Sequence, residues 1–346
     1  MVAARTVVNG RQKVMNGPNS GAGGEAGADA GDEFALISRL RARFEDTGGL
    51  PPTGEVWIGD DAAVVGEGRP GPRLLATDLV VGGVHADLSR CGPDDVGYKA
   101  VMVTVSDLAA MGGRPDHLLL SIAAPPGTDL DRLGAGAAEA AAETGCVVVG
   151  GDLSTAPVLV VSVAVLGSLH GPVVPGPLLR SGAAPGDVLL VTGPLGASAA
   201  GLRLLHDGHG AGAGDHPSVA AAVLAHRRPV ARLDEGEVAR LAGASAAVDV
   251  SDGLVADLRH LATASGVGVE LDDVPAAPGA SPDEALDGGE EYELVVATSD
   301  PDGLRRAFAA AGLRPPVIVG RCTDRAGRLD LDGRPLPAGG WRHRFA

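Results

Sequence analysis

From Phe34 onward the apolar positions fall into alternating helical and extended rhythms. The segment EFALISRLRARF carries Phe34, Ile37, Leu40 and Phe44 at helical spacing, which predicts an amphipathic helix. Three strand-like runs follow: VWIG at 56–59, RLLATDLVVGG at 73–83 and DHLLLSIAAP at 116–125. Between the last two, DDVGYKAVMVTVSDLAAMGG predicts a helix that starts near Asp94 or Asp95 and stops at Gly112 and Gly113. Its stripe of Val96, Ala100, Val103, Asp107 and Met111 is the face expected to meet the core. A second helix, DLDRLGAGAAEAAAETG, leads to the short strand CVVV, a turn GGD at 150–152 and the long strand VLVVSVAVLGSL.

A Gly/Pro-rich stretch at 170–187 reads as the connection between two halves. Beyond it come strand DVLLVTG, helix ASAAGLRLLH and a glycine-rich loop holding His206, His209 and His216. The pattern continues with a helix near 230–242, strand AAVDV, helix GLVADLRHLATAS, strand GVGVEL, the segment GGEEYELVVAT, helix DGLRRAFAAAG and strand PVIVGRC. Strands alternating with helices in both halves predict an α/β or α+β chain. Residues 16–32 hold no large aliphatic side chain to offset ordering entropy, so residues 1–32 are expected to be a mobile tail. The expected domains are then 33–170 and 171–346.

Composition narrows the function. A chain of 346 residues suits two domains of about 100–200 residues each. With 28 basic and 44 acidic residues the net charge is −16, which disfavours a nucleic-acid surface. Of the two lysines, Lys13 and Lys99, neither stands in the GxxxxGK[ST] arrangement of a P-loop. Cys91, Cys146 and Cys322 are odd in number and lack C-x-x-C spacing, the usage of a reduced, cytoplasmic protein. No apolar run approaches the roughly 18 residues of a membrane span, and the first 17 residues lack the apolar centre of a secretory signal.

Several acidic residues interrupt apolar segments. Asp78 lies inside LLATDLVV, and Asp107 falls on the core-facing stripe. An ionised carboxylate in such a place is costly unless it is paired or holds a cation, and basic partners are scarce nearby. Asp60 and Asp61, Asp152, Asp249 and Asp252 stand at predicted strand ends, where carboxylates can converge as oxygen ligands for a hard cation such as Mg²⁺. Ser251 and Asp252 equally suit helix capping. The turn TGPLGAS could cradle phosphate, though a tight turn needs the same residues and is the favoured reading. The histidine loop reads as a solvent loop, because its glycine flanks hold no ligand geometry. Glu290 and Glu291 precede a strand after two glycines, and Trp341 could wall a pocket for a heteroaromatic ring.

Taken in order, GDDAAVV (59–65), TDLVVGGVH (77–85), YKAVMVTVSDLAAMGG (98–113), GGD (150–152), RSGAAPGD (180–187), VDVSDGLVADL (249–259), GGEEYEL (288–294) and GWRHRF resemble the thiamine-monophosphate kinase family. That family belongs to the superfamily of aminoimidazole ribonucleotide synthetase, selenophosphate synthetase and the hydrogenase maturation dehydratase. The resemblance implies a two-domain fold with a mixed N-terminal sheet that forms a homodimer and a C-terminal α/β domain. It implies ATP-dependent, Mg²⁺-dependent conversion of thiamine monophosphate to thiamine diphosphate. By motif position, Asp61, Thr77, Asp78, Asp107, Asp152, Asp249 and Asp252 would hold Mg²⁺. Gly151, Asp152, Arg180 and Ser251 would contact ATP, and His85, Glu290 and Trp341 would contact thiamine monophosphate. No general base is expected. Ala76 departs from the Ser or Thr of many relatives. The chain lacks the N-terminal Cys of selenophosphate synthetase and the C-terminal Cys of the hydrogenase enzyme. An aminoimidazole ribonucleotide synthetase-like enzyme and a non-catalytic nucleotide or cation sensor are the alternatives.

Overall fold

The computed structural model describes residues 53–54, 60, 63–65, 71–172, 174–210 and 216–343. The segment 1–32, the helix expected at 34–44, the strand at 56–59, Asp61 and part of the histidine loop lie outside them. Five strands, β1 (Ala63–Val65), β2 (Arg73–Val81), β3 (Arg114–Ala124), β4 (Val147–Thr155) and β5 (Val160–Ser168), form one sheet in the order β1-β2-β5-β3-β4. Its β3–β4 pair is parallel and the others are antiparallel. The second sheet has the order β12-β11-β8-β10-β6-β9-β7. Its strands are β6 (Val188–Val191), β7 (Ala246–Asp249), β8 (Gly268–Leu271), β9 (Leu294–Thr298), β10 (Val317–Thr323), β11 (Leu329–Leu331) and β12 (Arg334–Pro335).

The helices are α1 (Pro93–Ala110), α2 (Leu130–Thr144), α3 (Ala197–His206), α4 (Pro217–Arg227), α5 (Leu233–Leu241), α6 (Leu254–Ser265), α7 (Pro282–Asp287) and α8 (Pro301–Ala310). Helix α4, the short α7, β11 and β12 are additions to the expected pattern. The GGD segment is not a turn: β4 runs through it, and Gly151 is needed because a Cβ there would overlap the Leu120 carbonyl oxygen of the neighbouring strand.

Helix α1 is buried almost all round instead of on one stripe. It packs on β2 and β5, on α2, and on β7 and α5 of the second half. One apolar cluster therefore runs from Val101, Leu108 and Leu118 to Leu190, Val296 and Phe308, across the seam between the sheets. Another, with Val248, Leu258, Val269 and Val319, fills the far face of the second sheet under α6. Burial on both faces explains the unbroken apolar run of β9, whose five residues are all buried. The first sheet is covered on one face only, so β2 and β5 alternate and leave Leu75 and Leu79 exposed on the open face. Arg240 of α5 is fully buried and donates to the carbonyls of Gly112, His170, Pro172 and Pro175, which ties the connecting stretch to the end of α1.

Helices α1 and α2 approach closely through glycine. A Cβ on Gly136 would overlap the Asp94 carbonyl oxygen, whereas Gly134, on the same helix, faces open space. Gly136→Ala should destabilise the protein by about 1–3 kcal/mol despite the better helix propensity of alanine. Gly134→Ala should stabilise it by about 0.5–1 kcal/mol. Urea unfolding of the two variants measures both, and equal effects would contradict the close approach.

Candidate functional site

Strand β2 places successive side chains on opposite faces of the first sheet, so Asp78 points to the helix side while Thr77 points to the open face. Asp78 there meets Asp107, in the last turn of α1, and Asp249, at the end of β7. The three carboxylates come from a strand, the central helix and the other half of the chain. Asp249 is 2% exposed and accepts a hydrogen bond from Ser106 Oγ at 2.6 Å. Asp78 and Asp107 each open onto a cleft of about 1090 Å³ but are enclosed by protein elsewhere.

Thr77, Ser251 and Asp252 line the same cleft, and so do His85, Glu290 and Trp341; the N–H groups of Glu290 and Trp341 donate to the Ser251 and Asp252 carbonyls. Gly151, Asp152 and Arg180 are not among the lining residues. Asp152 lies on the exposed edge strand β4, in the cross-strand row Leu79–Ser162–Ser121–Asp152. Three strand spacings of about 4.8 Å put it roughly 14 Å from β2. Arg180 opens a short 3₁₀ turn; its backbone N–H donates to Asp60 Oδ2 at 3.1 Å, and its charge acts on Asp249.

Burial and mutual repulsion shape the carboxylates. Asp78 is pushed up from 3.8 to about 6, chiefly by burial and then by the charge of Asp249. Asp107 is pushed well above the usual range by burial and by Asp78 and Asp249. Asp249 is raised by burial, and Asp60 is likewise raised to about 6. At the start of α6, Asp257 is driven well up by burial and Asp252, while its Oδ2 accepts from the N–H groups of Asp252 and Gly253. Asp252, Asp257 and His260 offer ligand atoms within 4.8 Å of one another. Oxygen donors crowded in this way are the set that a hard divalent cation satisfies.

The rest of the cleft lining is built from rings and one ion pair. The Val81 N–H donates to His85 Nδ1 at 3.1 Å, which leaves Nε2 as the protonated nitrogen of the neutral ring. Burial lowers the pKa of His85 and favours that neutral form. His343 meets His85 edge-on at 5.3 Å and Trp341 at 6.0 Å. Glu290 is ion-paired to Lys99 at 2.6 Å and lies 3.5 Å from His226 Nδ1. Lys99, His226 and His343 were not expected at the site; the rarity of lysine was the one signal in the sequence. Glu291 parts from Glu290 and accepts from the N–H groups of Ala197 and Ser198 at the start of α3. The donors of the TGPLGAS turn are thus taken by a carboxylate, and the phosphate reading of that turn falls.

Ionising Asp78 in the folded, cation-free chain costs about 3 kcal/mol more than in the unfolded one, from its rise from 3.8 to about 6. The folded state binds the proton more tightly, so cation-free stability falls as pH rises from about 4 through 6. Asp107→Asn, which removes one of the repelling charges, should melt above the unsubstituted protein at pH 8 in excess chelator. The gap should close below pH 4, where the carboxylates are protonated. A lower melting point for Asp107→Asn at pH 8 would show that repulsion is not what the cluster stores.

Residues 59–169 match the AIR synthase related protein N-terminal domain and residues 184–332 its C-terminal domain. The chain is 37% identical over 328 residues to the thiamine-monophosphate kinase of Mycobacterium tuberculosis, covering 90% of this chain and 91% of that one. Among solved structures, AaThiL complexed with AMPPCP and TMP, from Aquifex aeolicus, is similar with a TM-score of 0.78 at 32% identity, over 90% of this chain and 97% of that one. The Escherichia coli hydrogenase maturation protein HypE shares the fold alone, with a TM-score of 0.60 at 19% identity over 89% of this chain and 96% of that one. With nine tenths of its length aligned and the two-domain fold shared, the chain belongs to the thiamine-monophosphate kinase family, whose reaction is the ATP-dependent phosphorylation of thiamine monophosphate to thiamine diphosphate.

Proposed function

We propose that the reaction takes place in the cleft between the sheets, with nucleotide phosphates on the carboxylates and thiamine monophosphate against His85, Glu290 and Trp341. The observation that carries this is the crowding of Asp78, Asp107 and Asp249 in a cleft that His85, Glu290 and Trp341 also line. Asp61, Thr77, Asp78, Asp107, Asp249 and Asp252 would hold Mg²⁺, and Ser251 and Arg180 would contact ATP. Bound Mg²⁺ supplies neutralisation of phosphate oxygens and alignment for in-line transfer. The domain division proposed is 33–170 and 171–346, and separate buried thiols suit a cytoplasmic setting. Among the described residues no helix is long and apolar enough to cross a membrane.

The acceptor needs no general base. A phosphate monoester has its second pKa near 6, so its attacking oxygen is already ionised at neutral pH. His85, neutral and with Nε2–H available, acts as a hydrogen-bond donor to the acceptor, and Glu290 and Trp341 hold its ring portion. Direct transfer then rests on alignment and charge neutralisation.

The open face of the first sheet is proposed to pair with a second copy of the chain. Leu119 and Val149 are 48 and 57% exposed there, in an apolar groove that Leu75 and Leu166 also line. A face of this kind is an interface by its chemistry. Asp152 lies on it, with Gly151 its neighbour along β4, so in the dimer the two would serve the partner's nucleotide site.

Purified protein incubated with MgATP and either thiamine monophosphate or formylglycinamidine ribonucleotide should convert only the former. Asp78→Asn and Asp107→Asn should abolish turnover, whereas His85→Ala, Glu290→Gln and Trp341→Ala should chiefly raise KM for thiamine monophosphate. Equal loss of ATP affinity in the second group would refute the division of the cleft. Leu119→Arg should yield monomers in sedimentation. Mixing inactive Asp107→Asn and Asp152→Asn dimers should restore activity on subunit exchange, because one site per heterodimer then receives both carboxylates. No recovery despite exchange would place Asp152 in the service of its own subunit.

A further inference from the structure

Lys99 projects from α1, a helix of the first half, with its side chain 4% exposed. Its ammonium lies 2.6 Å from Glu290 Oε1, on the loop before β9 in the second half, and donates to the His85 carbonyl oxygen at 3.1 Å. It is not among the residues that line the cleft. Glu290 itself sits at φ 61 and Tyr292 at φ 54, two non-glycine residues in the left-handed region within three positions. Such backbone costs of order 1–3 kcal/mol per residue and persists only where its surroundings over-determine it.

The surroundings here do so. The Glu290 N–H donates to the Ser251 carbonyl at 2.7 Å, and those of Glu291 and Tyr292 donate to Val250. The second carboxylate oxygen of Glu290 faces His226, whose Nδ1 is 3.1 Å from Ser198 Oγ. A buried ammonium requires a charged or well hydrogen-bonded partner, so the position of Lys99 dictates the position of the Glu290 carboxylate. The second bond, to the His85 backbone carbonyl, anchors the ammonium, while the His85 ring is held separately by the Val81 N–H.

We propose that Lys99 is a positioning residue for the acceptor: anchored on the His85 carbonyl, its ammonium holds the Glu290 carboxylate in place across the seam and acts on thiamine monophosphate only through that carboxylate. This rests on the reading of Glu290 as an acceptor contact. Lys99 reaches no phosphate itself: a residue behind the cleft wall, with its ammonium committed to a carboxylate and a carbonyl, has no path to the ligand.

A double-mutant cycle on the full chain, with MgATP and thiamine monophosphate, tests it. Lys99→Met and Glu290→Gln should each raise KM for thiamine monophosphate about tenfold, with kcat and KM for ATP within about twofold of the unsubstituted enzyme. The double variant should be within about twofold of Glu290→Gln, since Lys99 works through that carboxylate. An unchanged acceptor KM in Lys99→Met, an equal rise in KM for ATP, or a double variant whose KM multiplies the two single effects overturns the proposal. Should Lys99→Met fail to fold, the double variant decides, because it removes both buried charges together; a further tenfold rise over Glu290→Gln alone then refutes the inference. Glu290→Gln with an unchanged acceptor KM removes the underlying reading and the proposal with it.

Discussion

Three carboxylates forced together where water is scarce set the terms for the rest of this molecule. At an effective dielectric of 20 a single like-charge pair 4 Å apart costs about 4 kcal/mol, and Asp78, Asp107 and Asp249 make more than one such pair. No structural purpose asks for this, since apolar side chains of similar volume would be more stable in the same seam. The fold carries the cost through the apolar cluster that joins both sheets around α1 and through helix contacts close enough to exclude a Cβ. A destabilising feature thus sits in a tightly packed seam, the pattern expected where a site has to be rigid before its ligand arrives.

The same charges explain how an acidic chain handles two phosphorylated ligands. Bringing a phosphate monoester to ATP sets dianion against polyanion, and the chain offers neither a P-loop lysine nor a free helix terminus beside α3, where Glu291 occupies the backbone donors. Glu291, pushed up to about 7 mainly by burial, even holds a carboxyl where a phosphate would otherwise sit. On the proposed reading, attraction for phosphate falls to cations. The single buried lysine of the cleft region is spent on Glu290, away from the phosphate path.

How much of this could be read beforehand depended on whether a residue broke its local pattern. Asp78 and Asp107 were legible because a charge inside an apolar run has no local excuse. Helices α1, α3 and α6 were legible from periodicity and glycine stops. Lys99 and His226 were not, because YKAV and LAHR look like ordinary helical sequence and their partner Glu290 is remote along the chain. Helix α4 was hidden by its glycine-rich approach, while β11 and β12 are too short and polar to show an alternation. The GGD segment misled for a physical reason: glycine permits a turn, but it equally permits two strands to approach with no Cβ between them. Asp152 shows the remaining limit, for its address on an open sheet face gains meaning only from what covers that face.

Strand β2 joins these themes in one stretch of backbone. Its odd positions, Leu75, Thr77 and Leu79, face the open side, and its even positions, Leu74, Asp78 and Val80, face α1. Thr77 touches both regions: it borders the cleft and the apolar groove, and its hydroxyl donates to the Val163 carbonyl of β5. Because side chains alternate with a period of two, a slip of one residue would bury Leu79 against α1 and swing Asp78 onto the apolar face. The proposed interface and the carboxylate cluster would be lost together. Nine consecutive residue pairs between β2 and β5 hold that register, and with it a carboxylate on one side of the sheet and an apolar surface on the other.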